Sequence, residues 1–217
     1  MIVNRELPVG TKEIASIVAV YIVLCLIFFS PLHIAHKVAV PLLFLSVAAV
    51  RLRSLPMFLA MLFSAIGDYA GSCHIFLLQM GSFALAHIAF ITYFGGLIHR
   101  QSVSLNMRKA SPCALVCSLW FMSVVIAVLP TIGNSVFLTG VSVYITLIIT
   151  MFMLAWLTGR PMFLIGAFLF LLSDTILGCN KFVTKVPYSA CWIMVTYYSA
   201  QILLFVQACR LGGTKKR

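Results

Sequence analysis

Apolar runs of about 20 residues recur along the 217-residue chain, and polar, proline and glycine residues collect in the short breaks between them. The runs cover roughly 14–32, 34–50, 55–73, 79–99, 112–130, 136–157, 161–179 and 188–209. The breaks fall at His33 to Lys37, Arg51 to Ser54, Arg100 to Ser111, Pro130 to Ser135, Thr158 to Arg160 and Asn180 to Pro187. Each run is long enough to cross a bilayer as a helix and too long and uniformly apolar for a barrel strand. The pattern predicts an all-α fold, a polytopic bundle of eight transmembrane helices over residues 14–209. A polar N-terminal segment (1–13) precedes it and a basic tail (210–217) follows. No small-residue cleavage pattern follows the first run, which reads as a retained span.

Composition sharpens this picture. The chain is 63% hydrophobic and 9% charged, against roughly 25% charged residues in a soluble domain. Its net charge of +11 is dispersed between the apolar runs, so it reads as a topology signal and not as a nucleic-acid surface. Eight spans would put Arg5, Lys12, Arg51, Arg53, Arg100, Arg108, Lys109, Arg160, Arg210, Lys215, Lys216 and Arg217 on one side, with Lys37, Lys181 and Lys185 on the other. The asymmetry of 12 against 3 predicts that both termini are cytosolic. The seven cysteines are odd in number and lie mostly inside the predicted helices, with no spacing that suggests a metal site or a disulfide framework.

Four acidic residues complete the charge pattern. Glu6 and Glu13 fall in the polar start, but Asp68 and Asp174 lie deep inside apolar runs. Each aspartate is thirteen residues beyond the cytosolic start of its span (Leu55 or Pro161). At 1.5 Å per residue both carboxyls lie about 20 Å into a core roughly 30 Å thick. Both spans run in the same direction, so the pair can face one another at matched depth. The pattern D-x4-C-x2-F follows at both sites (Asp68, Cys73, Phe76; Asp174, Cys179, Phe182) and fits either a four-plus-four repeat or coincidence. Intramembrane carboxyls serve as glue between helices or as functional groups. A facing pair would share one proton, one member donating it and the other stabilising positive charge or orienting water.

Other polar residues at depth are candidates for lining a site. His87 is mid-span and reads as a helix–helix contact or as polar lining; with no second histidine at its level, no metal is expected. Met194, Tyr197, Tyr198 and Gln201 share one face of the last span. Ser173 adjoins Asp174. Lys37, at the non-cytosolic end of the second span, either binds a lipid phosphate or snorkels to the headgroups.

Four stretches together resemble the YhhN-like lysoplasmalogenase family. They are Gly67-Asp68 in the third span, Phe83 to His87 in the fourth, Gly166 to Phe170 with Ser173-Asp174 in the seventh, and Tyr197-Tyr198 with Ala200-Gln201 in the eighth. The family's lysine-then-proline opening of the second span corresponds to Lys37 and Pro41, here with three residues between them. The resemblance implies an eight-span membrane enzyme that hydrolyses the vinyl-ether bond of lysoplasmalogens. It would release a fatty aldehyde and glycerophosphoethanolamine or glycerophosphocholine. Asp68 and Asp174 would be catalytic, and Lys37, His87, Ser173, Tyr197, Tyr198 and Gln201 would bind substrate. No cofactor is expected, and the partners would be the lysophospholipid substrate and membrane lipids. The expected location is the endoplasmic reticulum of a eukaryote or the inner membrane of a bacterium. The rival reading is a proton-coupled transporter or lipid carrier that uses the two carboxyls as a relay.

Overall fold

The structure, a computed structural model, describes residues 9–32, 34–100 and 107–212. Among these residues it is all-helical, with eight α-helices and no strand. The helices are α1 (Thr11–Phe29), α2 (Val40–Ala49), α3 (Leu55–Ser72), α4 (Phe76–Arg100), α5 (Met107–Val128), α6 (Ser135–Leu157), α7 (Pro161–Gly178) and α8 (Ser189–Gly212). Their ends follow local chemistry. Proline opens α2, α3 and α7, where the missing N–H costs nothing. Asn134 caps α6, its Oδ1 accepting from the amides of Val136 and Phe137. Gly159 turns the chain between α6 and α7 at a φ of +67°, a left-handed conformation that glycine adopts without strain.

Every predicted run contains a helix, and the second, fifth and eighth differ from the expected bounds. Among the described residues, six helical stretches are long and apolar enough to cross a membrane: Thr11–Phe29, Leu55–Ser72, Phe76–Arg100, Ser135–Leu157, Pro161–Val183 and Ser189–Leu211. The second expected span, 34–50, contains only the ten α-helical residues of α2. Tight 3-10 turns, Lys37–Ala39 and Val50–Leu52, extend it at either end. Residues 34–36, counted in the expected span, precede the first of these turns, with His36 in a left-handed conformation. The fifth span, expected at 112–130, is preceded by a polar helical turn, and its apolar part runs Leu115–Thr131. At the C-terminal end, α8 runs on to Gly212, past Arg210 where the tail was expected to begin. Residues 1–8 and 213–217, including Arg5, Glu6 and the last three basic residues, lie outside the described residues, as does His33.

The chain divides into two compact units. One comprises α1 to α3, α4 through Tyr93, and α8 from Gln201; the other runs from Phe94 to Ala200. In the first unit α1, α2 and α3 run alternately up and down, and polar contacts join their ends. Arg51, at the end of α2, pairs with Glu13 at the start of α1 at 3.7 Å. That pair is exposed and contributes little. At the opposite end the Lys37 ammonium donates to the carbonyls of Ser30 and Leu32 at 2.7 and 2.9 Å. Also at that end, Ser72 donates its hydroxyl proton to the Tyr69 carbonyl at 2.6 Å. Its oxygen therefore accepts from His36 Nδ1 at 2.7 Å. The core of this unit is Tyr21, Leu42, Leu45, Met57, Met61 and Phe90.

In the second unit α6 and α7 form a hairpin about Gly159, and α5 packs on α6. Its core includes Met151, Phe152, Phe163 and Phe170, with the rings of Phe94 and Phe163 edge to face at 5.0 Å. A single π-helical turn, Cys179–Val183, continues α7, and Asn180 Oδ1 accepts from the Val186 amide to fix the loop that follows.

Many of the helices are apolar on their outward faces too. Val20, Ile22, Val23 and Leu26 of α1 are all exposed, and Tyr21 is its one buried side chain. A helix that presents apolar residues on every face belongs in lipid or in a large core.

Candidate active site

The helix α3 carries Asp68 inward. Ile66 and Tyr69 are exposed on either side of it, whereas Ser64, Gly67 and Asp68 are buried, Asp68 to 5% exposure. The reason is local. Gly67 lets α4 approach so closely that a Cβ in its place would lie 3.0 Å from the Phe83 ring. One turn before Asp68, Ser64 Oγ accepts from Gln201 Nε2 of α8 at 3.0 Å, and both side chains are fully buried. Gln201 Oε1 receives no hydrogen bond among the described residues, which leaves an acceptor in the interior of this unit. His87 of α4 is also fully buried, with Leu85 and Ile88 turned outward beside it.

In the second unit, Asp174 is thirteen residues into α7, as Asp68 is into α3, and both helices are 18 residues long. The equivalence extends one turn further, because Cys73 and Cys179 each close their helix as its C-cap. Beyond that the two sites diverge, α3 ending in a tight turn through His74 and α7 in the π-helical turn. The Tyr144 hydroxyl of α6 donates to Asp174 Oδ2 at 2.5 Å. Adjacent Ser173 points elsewhere, donating to the Ile193 carbonyl of α8 at 3.1 Å. Tyr197 packs edge to face on Phe170 at 5.4 Å and lies 5.6 Å from the Tyr198 ring. The α8 face predicted from spacing is buried throughout: Met194, Tyr197, Tyr198 and Gln201 are each at most 8% exposed.

The sequence-predicted residues therefore fall into two sets. Asp68, His87 and Gln201 lie in the interior of the first unit; Asp174, Ser173, Tyr197 and Tyr198 belong to the second. Lys37 is set apart at the end of α2, two of its three donors already on main-chain carbonyls. Sequence reasoning missed Tyr144, though a signal for it exists. Residues equally distant from the turn of an antiparallel hairpin lie at one level, and Tyr144 and Asp174 are each fifteen residues from Gly159.

Apolar outward faces, six long apolar helices and two carboxyls within them define a multi-pass integral membrane protein. The profile of the YhhN family matches residues 27–208, and the chain belongs to that family. It is 31% identical over 156 residues to the lysoplasmalogenase TMEM86B of Rattus norvegicus, covering 70% of this chain and 60% of that protein. Against the lysoplasmalogenase TMEM86B of Sus scrofa it is again 31% identical over 156 residues, covering 67% and 59%. The lysoplasmalogenase TMEM86A of Homo sapiens shares 49% identity over 43 residues, 20% of this chain and 18% of that protein. The chain thus spans about 60% of the length of the first two relatives. No solved structure matches it.

Proposed function

We propose that this protein is an intramembrane hydrolase that cleaves the vinyl-ether bond of lysoplasmalogens, with Asp68 and Asp174 as its acid–base pair. The observation that carries the reading is the family match across most of the chain, with relatives named lysoplasmalogenase. Two carboxyls at the same position of two 18-residue helices, Asp68 buried and Asp174 half-buried, supply the chemistry it needs.

A vinyl ether is hydrolysed by protonation of its β-carbon. The resulting oxocarbenium ion is captured by water, and the hemiacetal so formed collapses. One water is consumed, the carbon–oxygen bond to the glycerol oxygen breaks, and the products are a fatty aldehyde and the glycerophospho-headgroup alcohol. One aspartic acid supplies the proton, while its ionised partner stabilises the cation and takes a proton from the attacking water. His87, Tyr197, Tyr198 and Gln201 are the substrate-binding side chains in this reading, Ser173 serves it through its bond to the Ile193 carbonyl, and the third donor of Lys37 is offered to a lipid phosphate.

All eight helices cross the membrane in this reading, with both termini cytosolic. The geometry of α2 supports its inclusion. Residues 37–52 rise about 27 Å when α-helical and 3-10 rises are combined, close to the thickness of the hydrocarbon core. Their ends also meet the opposite ends of α1. The membrane would be the endoplasmic reticulum in a eukaryote or the inner membrane in a bacterium.

The test is aldehyde release by purified protein from a lysoplasmenyl lipid and from its saturated alkyl-ether analogue. Release from the first alone is expected, with Asp68→Asn and Asp174→Asn each losing at least about 100-fold in rate. Full activity in both variants, or no release by the wild type, would overturn the reading. Proton-driven movement of lysolipid across a liposome without product would point to a carrier.

A further inference from the structure

Gln201 stands halfway along α8 and Ser64 halfway along α3, far from the ends of both helices. Both side chains are fully buried, and Gln201 Nε2 donates to Ser64 Oγ at 3.0 Å. This bond holds the amide in place and leaves Oε1 with no hydrogen bond among the described residues. The residues one turn away, Ala60 and Met61 on α3 and Leu204 and Phe205 on α8, are fully buried and apolar. A carbonyl oxygen among such groups costs free energy until a donor reaches it. Ser64 precedes Asp68 by four residues on the buried face of α3, so the amide is held about one helical turn from that carboxyl.

We propose that Gln201 Oε1 accepts a hydrogen bond from the free glycerol hydroxyl of the lysolipid, and that Gln201 thereby selects lipids that carry this hydroxyl over those in which it is acylated or missing. The identity of the lipid rests on the hydrolase reading; the site rests on the buried amide. The choice of group follows from donor chemistry. The vinyl ether and the phosphodiester of a lysoplasmalogen only accept hydrogen bonds. Choline has no donor, and the ammonium of ethanolamine lies beyond the phosphate, at the headgroup level. The hydroxyl is on the carbon next to the one that bears the ether oxygen, so it enters the membrane interior together with the bond to be cleaved. Acylation removes this donor and leaves the amide oxygen unpaired beside the bound lipid, the condition under which a polar site rejects an analogue most strongly. A hydroxyl also suits either end of an amide, since it donates as well as accepts, and the Ser64 hydroxyl does the same.

The test compares two alkenyl lipids that differ only at this position: a lysoplasmenylcholine and its 2-deoxy analogue, which lacks the donor and adds no bulk. Their acid hydrolysis in water calibrates intrinsic reactivity. The wild type should favour the hydroxyl lipid by about 10- to 100-fold in kcat/KM. Gln201→Leu, with no polar atom in its side chain, should bring that preference to within about 2-fold of unity. The ratio is measured on one preparation, so the fraction folded cancels. Ser64→Ala, which frees the amide to turn, should give an intermediate ratio. A wild type that cleaves both lipids alike, as it would with a water held at Oε1, overturns the proposal without any variant. A Gln201→Leu protein that keeps the wild-type ratio overturns it as well.

Binding separates this site from the hydrolase reading. The saturated alkyl-ether lysolipid and its 2-deoxy form have no vinyl ether to cleave, and each is titrated against the purified protein. The wild type should bind the hydroxyl form at least about 10-fold more tightly, and Gln201→Leu should bind both alike. That result in a protein that cleaves neither alkenyl lipid overturns the hydrolase reading and leaves the hydroxyl site standing. Equal binding of the two forms by the wild type overturns the hydroxyl site whatever the enzyme does.

Discussion

At the scale of single residues, polar groups in the interior of a membrane protein are constrained by their partners. Ser64 is fully buried and accepts from Gln201, whose other amide atom already receives no hydrogen bond among the described residues. Ser64→Val would therefore leave the whole amide unsatisfied in the interior. The expected cost is about 1–3 kcal/mol, visible as earlier unfolding in a detergent–denaturant titration. Ser64→Thr, which keeps the hydroxyl, should recover most of it. Gly67 is held by space and not by hydrogen bonding: with the Phe83 ring 3.0 Å from where a Cβ would be, Gly67→Val must push α4 away. A loss of about 1–3 kcal/mol is expected, together with reduced hydrolysis, because Asp68 moves with its helix. Retained activity in a destabilised Gly67→Val protein would show that α4 does not set the position of Asp68.

At the scale of elements, the α6–α7 hairpin depends on one backbone conformation. Gly159 has a φ of +67° with nothing within 4 Å of where its Cβ would be. The penalty of Gly159→Ala is then purely conformational, about 1–2 kcal/mol. It should appear as a lowered Tm with kcat unchanged, since the hairpin still closes and Tyr144 still meets Asp174. Lys37 acts on another junction. Its ammonium holds the carbonyls of Ser30, the residue that caps α1, and of Leu32 in the loop that follows. Lys37→Met would release that corner, so a rise in KM alone would mark a headgroup contact, whereas a drop in Tm would mark the carbonyl clamp.

At the scale of the whole molecule, the path of α2 sets the topology. A ten-residue helix extended by 3-10 turns traverses the membrane only if its two ends emerge on opposite faces. Single cysteines at Leu32 and Arg51, in a chain whose own cysteines have been replaced, should react with a membrane-impermeant thiol reagent from opposite sides of intact vesicles. Labelling of both from one side would remove α2 from the spans, place Arg51 with Lys37, and break the 12-to-3 division of basic residues.

The amino-acid sequence by itself determined where most of the helices are and that each aspartate stands thirteen residues into its helix. Apolar run length is set by bilayer thickness, and Pro41, Pro56 and Pro161 mark helix starts through their missing N–H groups. The buried face of α8 was equally legible, because 3.6 residues per turn align Met194, Tyr197, Tyr198 and Gln201. Only the tertiary structure decided who meets whom. The bond from Tyr144 to Asp174, the turning of Ser173 onto Ile193, the seating of Lys37 on two carbonyls and the shortening of α2 all depend on which residue of a neighbouring helix arrives at the same level. Hydrophobic periodicity within one helix carries no record of that, since van der Waals packing and hydrogen bonds between helices, not differences in apolarity, select neighbours inside a membrane.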